Sequence, residues 1–231
     1  MVGGLAPPPE EEEEAQVLDS SRGVIFVLEN ACLETAKVGK SYALLNCDDH
    51  ANFLRRHGKD IAQYRPDICH QALLAILDSP LNKAGKIKGV YVHTSKNALL
   101  QISPQVRIPR TFRRFCGLMV QLLQKLSIRA TNGPDKLLKV VKGPVTKYFP
   151  ANCRRVGLEY SSEGADTVRL QDFVRELPDD TPAVFSIGAM AHGDIDVAYV
   201  DQTISVSEYP LSAACCIGRI TNTLEQKWDI V

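Results

Sequence analysis

Arginine is the most prominent of the chemically capable side chains in this sequence. Arg107, Arg110, Arg113 and Arg114 fall within eight positions, with no Asp or Glu among them. A guanidinium is permanently charged and offers five donors in a planar fork, which suits phosphate oxygens and base edges. A helix is expected over 109–128. At about 100° per residue its apolar face holds Phe112, Phe115, Cys116, Met119, Leu122, Leu123 and Leu126. Arg110, Arg113 and Arg114 fall opposite, and Arg107 joins Arg110 and Arg114 in one stripe if the turn extends back to it. Solvated helix faces usually mix in Glu for i,i+4 pairs, and this face has none. Nucleic-acid binding and a merely solvated face are the two readings.

Two other groups stand out. Arg65 and Asp67 flank a proline that keeps the chain extended, so the carboxylate is placed to fix the guanidinium. Alternatively Asp67 caps a helix that begins at Ile68, and one carboxylate can do both. The loop GAMAHG, 188–193, follows an apolar run. Its glycines suit either a tight turn or a backbone that approaches a ligand closely. The spacing is neither GxGxxG nor GxxxxGK[ST], so a Rossmann dinucleotide site and a P-loop are both excluded. No Ser–His–Asp or Cys–His arrangement stands out, and His70 and His192 read as structural. The seven cysteines are 32, 47, 69, 116, 153, 215 and 216. They contain no CxxC pair and no zinc spacing, so we expect no metal and a reducing compartment.

These residues need a frame, and 231 residues with 45% hydrophobic and 23% charged composition suit one globular domain. Residues 1–21 are proline- and glutamate-rich and read as a disordered acidic tail, which leaves 22–231 as the domain. No apolar run approaches a membrane span and no signal peptide is visible. The zero net charge conceals an imbalance: 103–149 carries ten Lys/Arg against the single acid Asp135. A basic block of that kind points to phosphate, or to a solvated surface.

The expected elements begin with a buried strand at Gly23–Leu28. A helix follows over 33–46, then irregular chain from Asn46 to Tyr64. A helix from Ile68 ends at Ser79-Pro80, where proline cannot continue it. Val90–Thr94 and Ala98–Ser103 form a hairpin. Beyond the long helix, a short basic helix lies between Gly133-Pro134 and Gly143-Pro144, and 161–166 is a flexible loop. Strands are expected at 167–174, Ala183–Ile187 and Ile204–Ser207, and a last helix at Ser212–Trp228. The succession is α/β with mostly parallel pairing.

Several segments in order carry a resemblance. They are LENACLET (28–35), LNCD (45–48), RPDICHQ (65–71), LDSPLN (77–82), QVRIPRTF (105–112), FCGLMVQL (115–122), GAMAHG (188–193) and YPLSA (209–213). Together they resemble the ribosome-biogenesis pseudouridine-N1 methyltransferases, the nucleolar essential protein family of the SPOUT class, over about 22–231. The resemblance implies an α/β SPOUT fold with a C-terminal deep trefoil knot, an exception to the usual unknotted rule. It implies S-adenosylmethionine as cofactor and a homodimer. The implied substrate is a pseudouridine in small-subunit rRNA, methylated at N1. A role in small-subunit biogenesis beside pre-ribosomal assembly factors, in the nucleus and nucleolus, is implied too.

By the same resemblance the cofactor contacts fall on Leu158, Gly188, Gly193, Val206, Ser207, Glu208, Tyr209, Pro210 and Leu211. RNA contacts fall on Arg65, Arg107, Arg110 and Arg114. Asp67 matches a carboxylate that steadies the substrate-side arginine. As a general base it would be weak, since an ordinary Asp has a pKa near ~3.9. The 159–172 segment looks longer than its counterparts, which bears on Leu158. The acidic tail offers no nuclear-targeting motif. The alternative function is a non-catalytic rRNA-binding assembly factor.

Overall fold

A computed structural model describes residues 23–131, 133–158, 168–193 and 198–231. The expected acidic tail and the 161–166 loop lie outside the described residues. The apolar run near the start forms β1 (Val24–Ala31). Next come β2 (Thr35–Val38) and β3 (Ser41–Leu44), paired antiparallel, where a helix was expected. The β-branched Thr35 and Val38 favour strand, and Gly39, at φ +65°, turns the chain between them. The stretch read as irregular holds a short helix, α1 (Ala51–Arg56), and a 3-10 turn at Ile61–Gln63.

Helix α2 (Pro66–Leu77) begins two residues before Ile68, with Pro66 in its first turn, and α3 (Pro80–Lys83) follows at once. Ser79 both ends α2 and caps α3, its hydroxyl accepting the Asn82 N–H at 3.1 Å. The expected hairpin is β4 (Ile87–Thr94) and β5 (Leu99–Ile102). Helix α4 (Phe112–Lys125) is shorter than 109–128 at both ends. Pro109 holds the chain before it extended, and Leu126 stops it in the left-handed region at φ +61°.

Then follow β6 (Ser127–Arg129) and β7 (Lys136–Val141). The expected short basic helix is therefore strand β7, whose β-branched Val140 and Val141 complete the open edge of β5. Next are β8 (Arg154–Leu158) and β9 (Val168–Arg169). Most of the strand expected at 167–174 belongs instead to α5 (Leu170–Glu176). Leu170, Phe173, Val174 and Leu177 are spaced i, i+3, i+4, i+7 and are all buried, which is a helical stripe. The chain closes with β10 (Ala183–Gly188), β11 (Gln202–Ser205) and α6 (Ala213–Lys227). Ser212 caps α6, its hydroxyl accepting the Cys215 N–H at 3.2 Å.

Nine strands form one sheet in the order β6-β7-β5-β4-β1-β10-β8-β11-β9. The five strands β1, β10, β8, β11 and β9, with β4, run parallel, and β5, β7 and β6 extend the sheet antiparallel. Alternation along β1 separates two faces. Val24, Phe26 and Leu28 pack under α2, α4, α5 and α6. Ile25 and Val27 face the other way, toward Tyr91, Leu99, Val141, Val145, Tyr148 and Val184. Each fully buried Phe or Leu contributes about 1.5–3 kcal/mol, so this double-sided packing fixes the central strands. All ligand-scale geometry can then be referred to their carboxyl ends.

Candidate functional site

Three carboxyl ends meet on one side of the sheet. Leu158, the last residue of β8, pairs with Ile204 of β11, and Gly157 pairs with Ser186 of β10. Leu158, Gly188 and the segment from Val206 to Leu211 therefore emerge together. Loops beyond the carboxyl ends of parallel strands are the usual ligand position in an open α/β sheet. Leu158, Val206 and Leu211 are half-buried, while Glu208, Tyr209 and Pro210 are exposed. Ser207 folds the turn: its hydroxyl accepts the Tyr209 N–H, and its carbonyl accepts the Ser205 hydroxyl, both at 3.0 Å. Gly193 has φ +106°, a conformation that side-chain-bearing residues rarely adopt. The structure thus brings Leu158, Gly188 and Val206 to Leu211 to one end of the sheet, with Gly193 five residues beyond β10.

Arg65 arrives there at the start of α2, and the other expected arginines come from the segment before α4 and from α4 itself. Helix α2 connects two parallel neighbours, β1 and β4, so it starts at the carboxyl end. The Cys32 thiol, just past β1, sits against the Arg65 backbone. Arg65 donates to both oxygens of Asp67, from Nε at 2.8 Å and from an Nη at 2.7 Å. Those bonds hold the Asp67 carboxyl below the usual carboxylate range. The residue before Arg65 is anchored as well. Glu34 accepts the Tyr64 hydroxyl and the Lys59 ammonium, each at 2.7 Å. Asp67 lies in the first turn of α2 and not at its cap, which is Arg65.

After a turn at 103–106, closed by the Val106 N–H on the Ser103 carbonyl at 3.0 Å, the chain to Arg110 runs as a strap along α2. Val106 and Ile108 are buried, while Arg107 and Arg110 are exposed. Two side chains of the α2–α3 region pin the strap. His70 Nε2 donates to the Pro109 carbonyl at 2.7 Å, and Asn82 Nδ2 donates to the Pro104 carbonyl at 2.9 Å. His70 also stacks on Phe115, with ring centroids 4.5 Å apart. So the expected four-arginine helix face is corrected. Only Arg113 and Arg114 are on α4, because Pro109 delays the helix, and Arg107 and Arg110 belong to the strap. Arg110 also has a partner that its own stretch of sequence does not reveal. It donates to Asp78, at the far end of α2, at 3.0 Å.

The family model described as EMG1/NEP1 methyltransferase matches residues 26–225. This chain belongs to the EMG1/NEP1 methyltransferase family. Ribosomal RNA small subunit methyltransferase NEP1 of Homo sapiens is 50% identical over 226 residues, covering 97% of this chain and 90% of the relative. The Mus musculus protein of the same name is 49% identical over 225 residues, with the same coverage. Among solved structures, Archaeoglobus fulgidus Nep1 bound to S-adenosylhomocysteine aligns with a TM-score of 0.67. It is 21% identical and covers 90% of this chain and all of that one.

Within this EMG1/NEP1 chain the sequence reading missed two features. One is Asp78 opposite Arg110. The other is a partly buried polar cluster of Glu29, His93, Ser186 and Tyr199. The signal for the cluster is present: Glu29 ends an apolar run at a position that alternation assigns to the inner face. Among the described residues no group of three or more metal-ligating side chains occurs, and no helix is long and apolar enough to cross a membrane.

Proposed function

We propose that this chain is an S-adenosylmethionine-dependent methyltransferase acting on N1 of a pseudouridine in small-subunit rRNA. The observation that carries the reading is the meeting of two features at one end of the sheet. One is a set of backbone-rich loops, and the other is a fixed Arg65–Asp67 pair, from which a basic strap leads away along α2. The loops fit the cofactor: Gly193 lets backbone approach a ligand, Leu158, Val206 and Leu211 offer apolar walls, and Tyr209 is an exposed ring. When bound, S-adenosylmethionine supplies an activated methyl group, so the protein's share is largely positioning.

Arg107, Arg110 and Arg114 would hold RNA phosphates, which sets the register of the RNA without reading sequence. Arg65 stands closest to the cofactor loops by topology and would orient the target nucleotide, turned out of its stack. Asp67 serves Arg65. Both its oxygens accept guanidinium hydrogens, and a carboxyl held that low is a poor proton acceptor, so we assign it orientation and not general-base work. We read the crossings among β8, β10 and β11 as the SPOUT trefoil knot, and the working unit as a homodimer. The ribosomal role of the relatives supports work in the nucleolus beside other small-subunit assembly factors.

The test is methyl transfer from labelled cofactor to an rRNA hairpin carrying one pseudouridine, with uridine in its place as control. Label on the pseudouridine hairpin alone is expected. RNA binding with no transfer to either hairpin would leave a non-catalytic assembly factor.

A further inference from the structure

The polar cluster on the face of β1 opposite the helices sits in an otherwise apolar setting. Glu29 is only 2% exposed. One carboxylate oxygen accepts the Tyr199 hydroxyl at 2.6 Å, and the other faces His93 Nδ1 at 2.8 Å. Tyr199 spends its proton on Glu29, so the fully buried Ser186 hydroxyl, 2.9 Å away, donates to the Tyr199 oxygen. His93 Nε2 faces the Asn97 side-chain oxygen at 2.9 Å. Both ring nitrogens therefore meet acceptors, the pattern of an imidazolium. Burial works against that charge, but the bonds to Asn97 and Glu29 outweigh it and raise the His93 pKa. Burial, and then the Glu29 charge, push the Tyr199 hydroxyl far up, so it stays a donor.

The backbone of Glu29 makes a further bond. Its carbonyl accepts the Ala189 N–H at 2.7 Å, directly after Gly188. One residue therefore holds the chain at Ala189, where it leaves β10, and at Tyr199, where it returns toward β11. Phe149 touches Tyr199 edge-on at 5.4 Å, and Tyr199 also lines a cavity of about 720 Å³. Apolar contacts hold the ring in place, and the two hydroxyl bonds fix its direction toward Glu29 and Ser186.

We infer that Glu29, through Tyr199 and Ser186, is the positioning residue of the cofactor loop, holding the Gly188–Gly193 backbone in its binding geometry before any ligand arrives. The inference rests on the cofactor site proposed above. A pre-fixed loop costs no ordering on binding, so loosening it should weaken cofactor affinity and leave RNA affinity alone.

The experiment measures S-adenosylmethionine binding by calorimetry, hairpin binding, Tm and the KM and kcat of methyl transfer. The variants are Tyr199→Phe, Glu29→Ala and Glu29→Gln, with Tyr148→Phe as control. Tyr148 lies on the same sheet face, and its hydroxyl donates to the Lys142 carbonyl at 2.8 Å. Tyr199→Phe and Glu29→Ala should weaken cofactor binding at least tenfold and raise its KM in step, with kcat at saturation and hairpin affinity within about threefold. Glu29→Gln keeps an oxygen to accept the Tyr199 hydroxyl and should restore most of the affinity. Tyr148→Phe should lower Tm without moving cofactor affinity. Unchanged cofactor affinity in Tyr199→Phe, or an equal loss in Tyr148→Phe, overturns the inference. Gly193→Val separates the two ideas. If it too leaves cofactor affinity unchanged, the cofactor site itself is misplaced. If it alone weakens binding, only the positioning role fails.

Discussion

The Arg65–Asp67 pair at the start of α2 and the Arg110–Asp78 pair at its end place the same two chemical groups about 18 Å apart along twelve helical residues. Arg65 uses two different nitrogens, one per carboxylate oxygen, and the partners are two residues apart. Arg110 reaches across 32 residues with a single nitrogen, at 3.0 and 3.3 Å. Side-chain exposures are 42% and 28% in the first pair but 78% and 49% in the second. The helix reinforces the contrast. Asp67 sits in the first turn, where the macrodipole favours an anion, whereas Asp78 caps the carboxyl end, where it does not. The first pair is held closed by two separate bonds, and the second, exposed and held through one nitrogen, is the one that the proposed function would have exchange its carboxylate for a phosphate. A row of arginines is therefore not one kind of site.

The largest effect should come from opening the closed pair. Asp67→Asn leaves one oxygen acceptor and removes the charge, so Arg65 is free to leave its pose. Misplacement of a positioning group by about 1 Å can cost roughly 100-fold, and we expect methyl transfer to fall by about that factor. Stability should fall by no more than about 1 kcal/mol, since both partners are partly solvated. Single-turnover rates and denaturant melts of the variant check both. A rate within threefold of the parent would mean that Arg65 does not need its partner, and the distinction between the pairs would lose its functional half.

Next in size is the loss of an exchanging arginine. Arg110→Ala should weaken hairpin binding roughly tenfold near 0.1 M salt. It should also lower the slope of log affinity against log salt by about 0.7 to 0.9. Arg114→Ala should behave alike. Arg113, on the same exposed first turn of α4 but outside the expected contacts, should change the slope less. Salt titrations of the three variants, with cofactor affinity measured in parallel, test the set. Parent-like slopes for Arg110→Ala and Arg114→Ala would reduce the strap and helix to a solvated surface and move the RNA site elsewhere.

The sequence made one pair legible and hid the other. Arg65, Pro66 and Asp67 are adjacent, so local geometry alone suggested their contact. Asp78 and Arg110 meet only because Asn82 and His70 pin the strap along α2, which no short window contains. The frame shows the same division. The apolar run of β1, the Ser79-Pro80 stop and the Ser212 cap are local signals, and each element was expected close to where it lies. Elements defined by distant partners were misread. Strand β7 pairs along the edge of β5, and the β2–β3 hairpin also fits a helical spacing through Leu33, Leu44 and Leu45, so periodicity alone does not separate the two. Arg107 and Arg110 were placed on a helix because periodicity has no term for Pro109 holding the preceding chain extended.

Acid should sharpen the contrast by a smaller margin. Asp67 is held below its ordinary pKa by Arg65. Its contribution is therefore fully present above an unfolded value near ~3.9 and is lost as pH falls through the lower folded value. The stability gap between the parent and Asp67→Asn should be constant from pH 8 to pH 5, at most about 1 kcal/mol, and should close below pH ~3.9. Denaturant melts at pH 7, 5 and 3 measure it. A gap that already narrows between pH 7 and pH 5 would show that the carboxylate is not held low, and that the pair is as loose as its counterpart.

The smallest effect, and the one with a distinctive sign, belongs to Asp78→Asn. The exposed Arg110–Asp78 contact contributes little to stability, and an anion at the carboxyl end of α2 is disfavoured by the helix. Removing that charge should leave the unfolding free energy within about 0.5 kcal/mol of the parent. Lys83, which also approaches Asp78 at 3.6 Å, loses a partner too, but it is just as exposed. For RNA the change should help. In the free protein Arg110 must leave a carboxylate before it meets a phosphate, and Asp78 repels that same phosphate. Asp78→Asn removes both costs, so hairpin affinity should rise two- to threefold at low salt, and the gain should fade as salt screens the exposed charges. A fall in affinity would mean the opposite: Asp78 would then be holding Arg110 in its docking pose as Asp67 holds Arg65, and the two ends of α2 would be doing the same job.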